Sequence, residues 1–283
     1  EGLQADLAVN FADVQIERLI GVDGEREGPL CLVALGRGSA RPADDKVIEP
    51  LQLETVPLSM EEKSYPDLIR IHQASKLSDA DEVASVTAPT AALPEAGGDS
   101  PAPAVKGMGL GETILRRGST RKFAEESMPG AELAAILDVS SGHPRCDFPP
   151  LTDTYLIVNA VGGLEPGAYY YSRGRRALEL LKAGDLRGNA GYLCLEQPLG
   201  AECSALICYM ADFDRLLGAM GNRGYRAAQL EAGLHGGRAY LAAYALQRGA
   251  TGLTFYDDDT VAFFSPHGAG KIPLLMVAIG VPA

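Results

Sequence analysis

Residues 11–36 and 255–280 of this 283-residue chain align without a gap: F-A-D-V-Q-I-E-R-L-I-G-V-D-G-E-R-E-G-P-L-C-L-V-A-L-G against F-Y-D-D-D-T-V-A-F-F-S-P-H-G-A-G-K-I-P-L-L-M-V-A-I-G. Phe11, Asp13, Gly24, Pro29, Leu30, Val33, Ala34 and Gly36 each meet the same residue in the second stretch. A shared apolar strand would be unremarkable, but chance does not hold eight identities in one register. Whatever domain ends near residue 280 therefore has a homologue that ends near residue 36. The expected organisation is 1–36 as the C-terminal tail of a preceding domain, 37–105 as a connector, and 106–283 as the domain proper. The second copy should hold a helix from about Thr260, capped by Asp257, Asp258 and Asp259, then a strand over 272–280; cation binding by the three aspartates is the lesser alternative.

The connector changes character along its length. Residues 37–60 are polar and punctuated by proline, and P-L-S-M-E-E at 57–62 reads as a helix start. Leu68, Ile71, His72 and Leu77 place a helix over 65–77 that could lie across a partner subunit. Residues 87–105, rich in Ala and Pro around Gly97 and Gly98, read as a solvated linker with too little apolar content for a core. Beyond it, strands are expected at 153–160, 167–172, 204–211, 251–255 and 272–280, with helices between. That order is not the regular alternation of a doubly wound parallel sheet.

A formal charge of −12 argues against nucleic acid or an anionic membrane as the main partner. The five cysteines include no C-x-x-C pair and mostly sit in apolar surroundings, which predicts buried free thiols and fits a reducing cytoplasm. No apolar run is long enough to span a bilayer. The four histidines are scattered, so no metal site is expected.

Against this acidic background residues 114–123 read I-L-R-R-G-S-T-R-K-F. Arginine presents a planar fork of donors that matches phosphate oxygens, Gly118 allows close backbone approach, and Ser119 and Thr120 add hydroxyls. On these ten residues alone, a solvated basic face is the equal alternative. After the cluster, Pro129 and the spacing of Leu133, Ile136 and Leu137 announce an amphipathic helix.

Arg117, Gly118, Ser119, Thr120, Arg121 and Phe123, followed by that proline-led helix, resemble the first motif of the FMN-dependent nitroreductase superfamily. Residues 223–259, R-G-Y-R-A-A-Q-L-E-A-G-L-H-G-G-R-A-Y-L-A-A-Y-A-L-Q-R-G-A-T-G-L-T-F-Y-D-D-D, resemble the long central helix and following strand of its SagB-type dehydrogenase branch. S-S-G-H from Ser140 and the run to Ser172 resemble that branch's flavin loop and next strands. The three motifs stand in family order over about 111–280. Leu230, Leu234, Leu241 and Ala245 would by themselves be an ordinary core stripe. Gly233, Gly236 and Gly237 instead suggest close approach by a partner helix or a cofactor.

The resemblance implies an α+β fold, a mainly antiparallel sheet flanked by helices, in which two domains pair and bind flavin at their interface. It implies FMN with NAD(P)H as electron donor, the phosphate and ribityl chain held by Arg117, Gly118, Ser119 and Arg121. Ser140, Ser141 and Gly142 are weaker flavin candidates, with a plain loop as alternative, and the Thr254 or Phe255 N–H would lie near the flavin N5. The partner would be a homologous nitroreductase-like domain or a second copy of the chain, and the substrate a small electron-poor molecule. Catalytic acids and bases are not legible. Two alternatives stand beside this reading. One is azoline dehydrogenation in peptide maturation, although Ala219 and Met220 replace the branch's Lys-Tyr pair. The other is a catalytically silent half of a pseudo-dimer, since Gly237-Arg238 stands where the branch often has Gln-Asn.

Overall fold

The two copies of the repeat take the same local form. Helices Asp13–Ile20 and Asp257–Phe264 fill corresponding positions, and strands Leu32–Gly36 and Lys271–Gly280 end at corresponding glycines. The computed structural model describes residues 4–36, 49–52, 54, 56, 59–86 and 105–283. The linker expected at 87–105 therefore lies, but for Val105, outside the described residues, as do Pro57 and Leu58 of the expected helix start.

In chain order the elements are β1 (Gln4–Ala8), α1 (Asp13–Ile20), β2 (Leu32–Gly36), α2 (Pro66–Ala74), α3 (Ala80–Val86), α4 (Leu110–Arg116), α5 (Gly130–Ser140) and β3 (Thr152–Val158). There follow β4 (Gly167–Ser172), β5 (Ala177–Ala183), α6 (Arg187–Leu193), α7 (Pro198–Glu202), β6 (Ala205–Asp212), α8 (Phe213–Met220), α9 (Arg223–Ala245), β7 (Gly249–Leu253), α10 (Asp257–Phe264) and β8 (Lys271–Gly280). Two expectations need correction. Ser59 to Glu61 form bends, and the helix starts at Pro66, whose fixed φ suits a first turn. Asp257, Asp258 and Asp259 form the first turn of α10 instead of preceding it, where acidic side chains face the unpaired N–H groups and positive dipole end; the cap is Tyr256.

The chain divides into two compact units. The first comprises Glu1–Ala91, Pro144–Pro149 and Leu216–Ala227. In it β1 and β2 pair antiparallel, and a buried ion cluster ties α1 to the start of α9. The Asp13 carboxylate, fully buried, takes Arg223 on one oxygen and Arg226 on the other, each at 2.7 Å, and also accepts the Leu77 N–H. Arg223 further donates to the carbonyls of Val9, Phe11 and Ser75, and its guanidinium stands 4.7 Å from the Phe11 ring centroid. A buried cation this fully paired avoids most of the penalty of leaving water.

The second unit is Ala92–His143, Pro150–Arg215 and Ala228–Ala283. Its six strands run in the order β5-β4-β3-β6-β8-β7, every neighbouring pair antiparallel. Side chains alternate across a strand, so one face carries Tyr155, Ile157, Leu206, Cys208, Met276 and Ala278, packed with Ala190 and Leu193 of α6 and Phe264 of α10. The other face carries Thr154, Leu156, Ile207, Tyr209, Leu275 and Val277, covered by α9. There Gly236 comes so close that a Cβ would clash with Leu275. Cys194, Cys203 and Cys208 are buried free thiols, as their apolar surroundings predict, and burial pushes the Cys194 thiol up to about 12.

Candidate functional site

The basic segment is pinned at both ends and leaves its charges free. α4 ends at Arg116, which pairs with Glu112 one turn back. The chain then runs extended from Arg117 along the edge of β7, where the Thr120 N–H donates to the Ala250 carbonyl at 3.0 Å. The Thr120 hydroxyl shares a 3.1 Å hydrogen bond with the Tyr244 hydroxyl. A side chain at Gly249 would clash with Thr120, so this approach needs glycine. Downstream, Phe123 is buried and the Ala124 N–H bonds the Val281 carbonyl just after β8. Between these anchors Arg117, Gly118, Ser119 and Arg121 are exposed. Among the described residues neither Arg117 nor Arg121 has an ion pair or side-chain hydrogen bond. The segment presents two unpaired guanidinium groups and a hydroxyl at the rim of the sheet.

Thr254 and Phe255, expected as the last two residues of a strand over 251–255, instead follow β7, which ends at Leu253. Thr254 is exposed and its hydroxyl accepts from the Gln197 amide at 3.1 Å, while the Phe255 ring is half-buried against the α6–α10 side of the core. The outward N–H of Gly252 on the same edge donates to the Tyr240 hydroxyl. Tyr240 and Tyr244, one turn apart on α9, thus hold β7 and the basic segment together. Sequence reasoning passed over both, since tyrosines at helical spacing read as core.

Ser140, Ser141 and Gly142 lie elsewhere. Ser140 closes α5 and is fully buried; Ser141 caps that helix, and its hydroxyl is buried without a partner. The Gly142 carbonyl accepts from the Arg238 guanidinium. Arg238 is two residues, about 200° of helix rotation, from Tyr240. Within this chain α9 therefore separates the loop after α5 from the segment around Arg117.

On the Arg238 side of α9 sits a polar cluster that the sequence did not reveal, because its members are scattered along the chain. The Glu231 carboxylate, fully buried, accepts from His143 Nδ1 at 2.9 Å and from the N–H groups of Leu151 and Thr152 at 2.9 and 2.8 Å; Arg173 stands 3.9 Å away. Burial alone would raise its pKa, but His143, Arg173, His235 and the Leu151 N–H outweigh that and bring it to about 2. One turn on, buried His235 faces the Thr152 hydroxyl at 3.3 Å, and burial brings its pKa down to about 4. The only sequence signal was the i, i+4 spacing of Glu231 and His235. Among the described residues no group of His, Cys, Asp and Glu is arranged to hold a metal ion. A separate cleft of about 440 Å3, lined by Lys182, Phe263 and His267, includes none of the residues predicted for the site. No helix among the described residues is long and apolar enough to cross a membrane.

No protein-family model matches the sequence. Over 188 residues, 63% of this chain and 93% of the relative, the sequence is 23% identical to a provisionally named nitroreductase of Methanocaldococcus jannaschii. A solved structure from Anabaena variabilis, also provisionally named a nitroreductase, matches 99% of this chain at TM-score 0.77 and 24% identity, and the chain spans 61% of that protein's length. One chain of the E. coli microcin synthetase McbBCD complex with truncated pro-MccB17 bound matches at TM-score 0.51 and 17% identity, over 78% of this chain and 98% of that one. With its antiparallel six-stranded sheet between helices, the chain has the α+β fold of the nitroreductases.

Proposed function

We propose that the protein is an FMN-dependent oxidoreductase of the nitroreductase type, working as one half of a paired site. The observation that carries this reading is the pair of unpaired guanidinium groups, Arg117 and Arg121, held with Ser119 at the rim of the sheet in an acidic protein. Their chemistry fits a phosphate: both arginines neutralise it, and Ser119 and the backbone at Gly118 supply further donors. Thr254 and Phe255 offer N–H groups at the end of the same edge strand. Held by Arg117, Ser119 and Arg121, FMN would supply the redox chemistry between NAD(P)H as electron donor and an electron-poor small molecule. The protein's part is to bind, orient and polarise.

Pairing is supported by α9. Leu230, Gly233, Leu234, Gly237 and Leu241 share one side of it; the three leucines stay partly exposed, and a Cβ at Gly233 or Gly237 would meet nothing within 4 Å. The side opposite the sheet is thus apolar, smooth and open to a second helix. Because α9 separates Ser140–Gly142 from Arg117–Arg121, these groups suit two flavin sites shared between paired domains better than one site. In this reading 1–36 is the tail of a preceding domain, 37–105 the connector and 106–283 the flavin domain, and the partner is that preceding domain or a second copy. The azoline reading is not favoured: Met220 is buried and Ala219 carries no proton-transfer group.

The double variant Arg117→Ala/Arg121→Ala tests the assignment. It should lose bound flavin during gel filtration while its melting temperature without flavin stays within about 1 °C of the parent, since surface changes away from packing cost little. A double variant that stays fully yellow overturns it.

A further inference from the structure

The repeat leaves one of its two copies without the contact that the other makes. In the first copy Phe11 and Asp13 grip the start of α9: the Asp13 carboxylate takes Arg223 and Arg226, and the Phe11 ring and carbonyl take Arg223. The corresponding residues of the second copy are Phe255 and Asp257, at the same place before and in the first turn of the same eight-residue helix. Asp13 is fully buried, whereas Asp257 is exposed and, among the described residues, has no ion pair or side-chain hydrogen bond.

We propose that Phe255 and Asp257 form a docking clamp for an Arg-x-x-Arg pair at the start of the long helix of a homologous domain, the reciprocal of the clamp that Phe11 and Asp13 close on Arg223 and Arg226. Domains related by a two-fold axis make each contact twice, residue i to j and j to i. The first clamp is one of these contacts, and Asp257 carries the other. The proposal rests on the paired-domain reading above and names the surface and the partner's chemistry. It also separates the two candidate partners. A second copy of this chain has its own Arg223 and Arg226 already held by Asp13, so the occupant is a homologous domain whose arginine pair is free. One carboxylate bridging two guanidinium groups, one on each oxygen as at Asp13, then sets the register of pairing.

The probe is a helix-stapled peptide of this chain's residues 221–232, G-N-R-G-Y-R-A-A-Q-L-E-A, titrated into the full chain while backbone amide shifts are followed by NMR. The expected result is saturable shifts centred on residues 255–259, with affinity weakened about ten-fold or more both by Asp257→Asn and by glutamine at the two peptide arginines. Shifts that are absent, that centre elsewhere, or that survive Asp257→Asn overturn the clamp. Flavin absorbance on the same samples separates the two readings. Peptide binding by a chain that takes up no FMN upholds the clamp, the flavin site being completed only by the paired domain, and FMN uptake without peptide binding sinks the clamp and upholds the cofactor assignment.

Discussion

Glu231 is shut off from solvent and still ionised, so its loss strands a set of buried donors. Glu231→Ala would leave the His143 ring, Arg173 and two backbone N–H groups facing a hole. The expected cost is about 3–5 kcal/mol in a guanidinium denaturation, the range for breaking a buried charge pair. The same cluster sets the acid response. His235 and Glu231 both have folded-state pKa values below their ordinary ones, about 4 against 6.5 and about 2 against 4.5, so the folded chain binds fewer protons than the unfolded. Their stabilisation is complete above pH 6.5; His235's share is lost as pH falls from 6.5 through 4, and Glu231's from 4.5 through 2. Melting temperature followed against pH should therefore decline from pH 6.5 downward, and His235→Asn should flatten the upper part of that decline only. At this scale Arg117, Ser119 and Arg121 could be named from sequence as phosphate candidates because their chemistry lies within five consecutive residues. Glu231, Tyr240 and Tyr244 were not, because what matters in them is a partner far away in sequence.

Among the elements, α9 shows why three close glycines needed a structure to be told apart. Gly236 is consumed by the sheet, while Gly233 and Gly237 face open space. Gly233→Ala and Gly237→Ala should each stabilise the chain by up to about 1 kcal/mol through helix propensity. Gly236→Val should destabilise it by about 1–3 kcal/mol through overpacking, and thermal denaturation of the three variants would expose a reversed order. Strands buried on both faces were found within two residues of their ends: 153–160 is Thr152–Val158, 204–211 is Ala205–Asp212, and 251–255 is Gly249–Leu253. β5, A-L-E-L-L-K-A, escaped notice. As an outer strand with mixed polarity on both faces it has neither the alternation nor the apolar run that marks a strand.

For the whole molecule, the repeated tail was the most productive reading, since α1 and α10 occupy matching positions residue for residue. It could not disclose that Asp13 is buried against two arginines, because nothing in 11–36 names residues 223 and 226. Asp13→Ala should cost the first unit about 3–5 kcal/mol, seen as loss of amide-exchange protection in α1 and α2 while β6 and β8 keep theirs. The second unit carries a different kind of safeguard. An open sheet edge invites a foreign strand, and here both rims are blunted. β5 sets Glu179 and Lys182 along one, while on the other the Ala250 carbonyl is taken by Thr120 and the Gly252 N–H by Tyr240. The segment that holds Arg117 and Arg121 out to solvent is thus also the stopper on that rim. Any change that frees Thr120 from Ala250 bares a strand to recruitment by its neighbours, so the sequence freedom of this short stretch is bounded by resistance to amyloid-like stacking as well as by its charge.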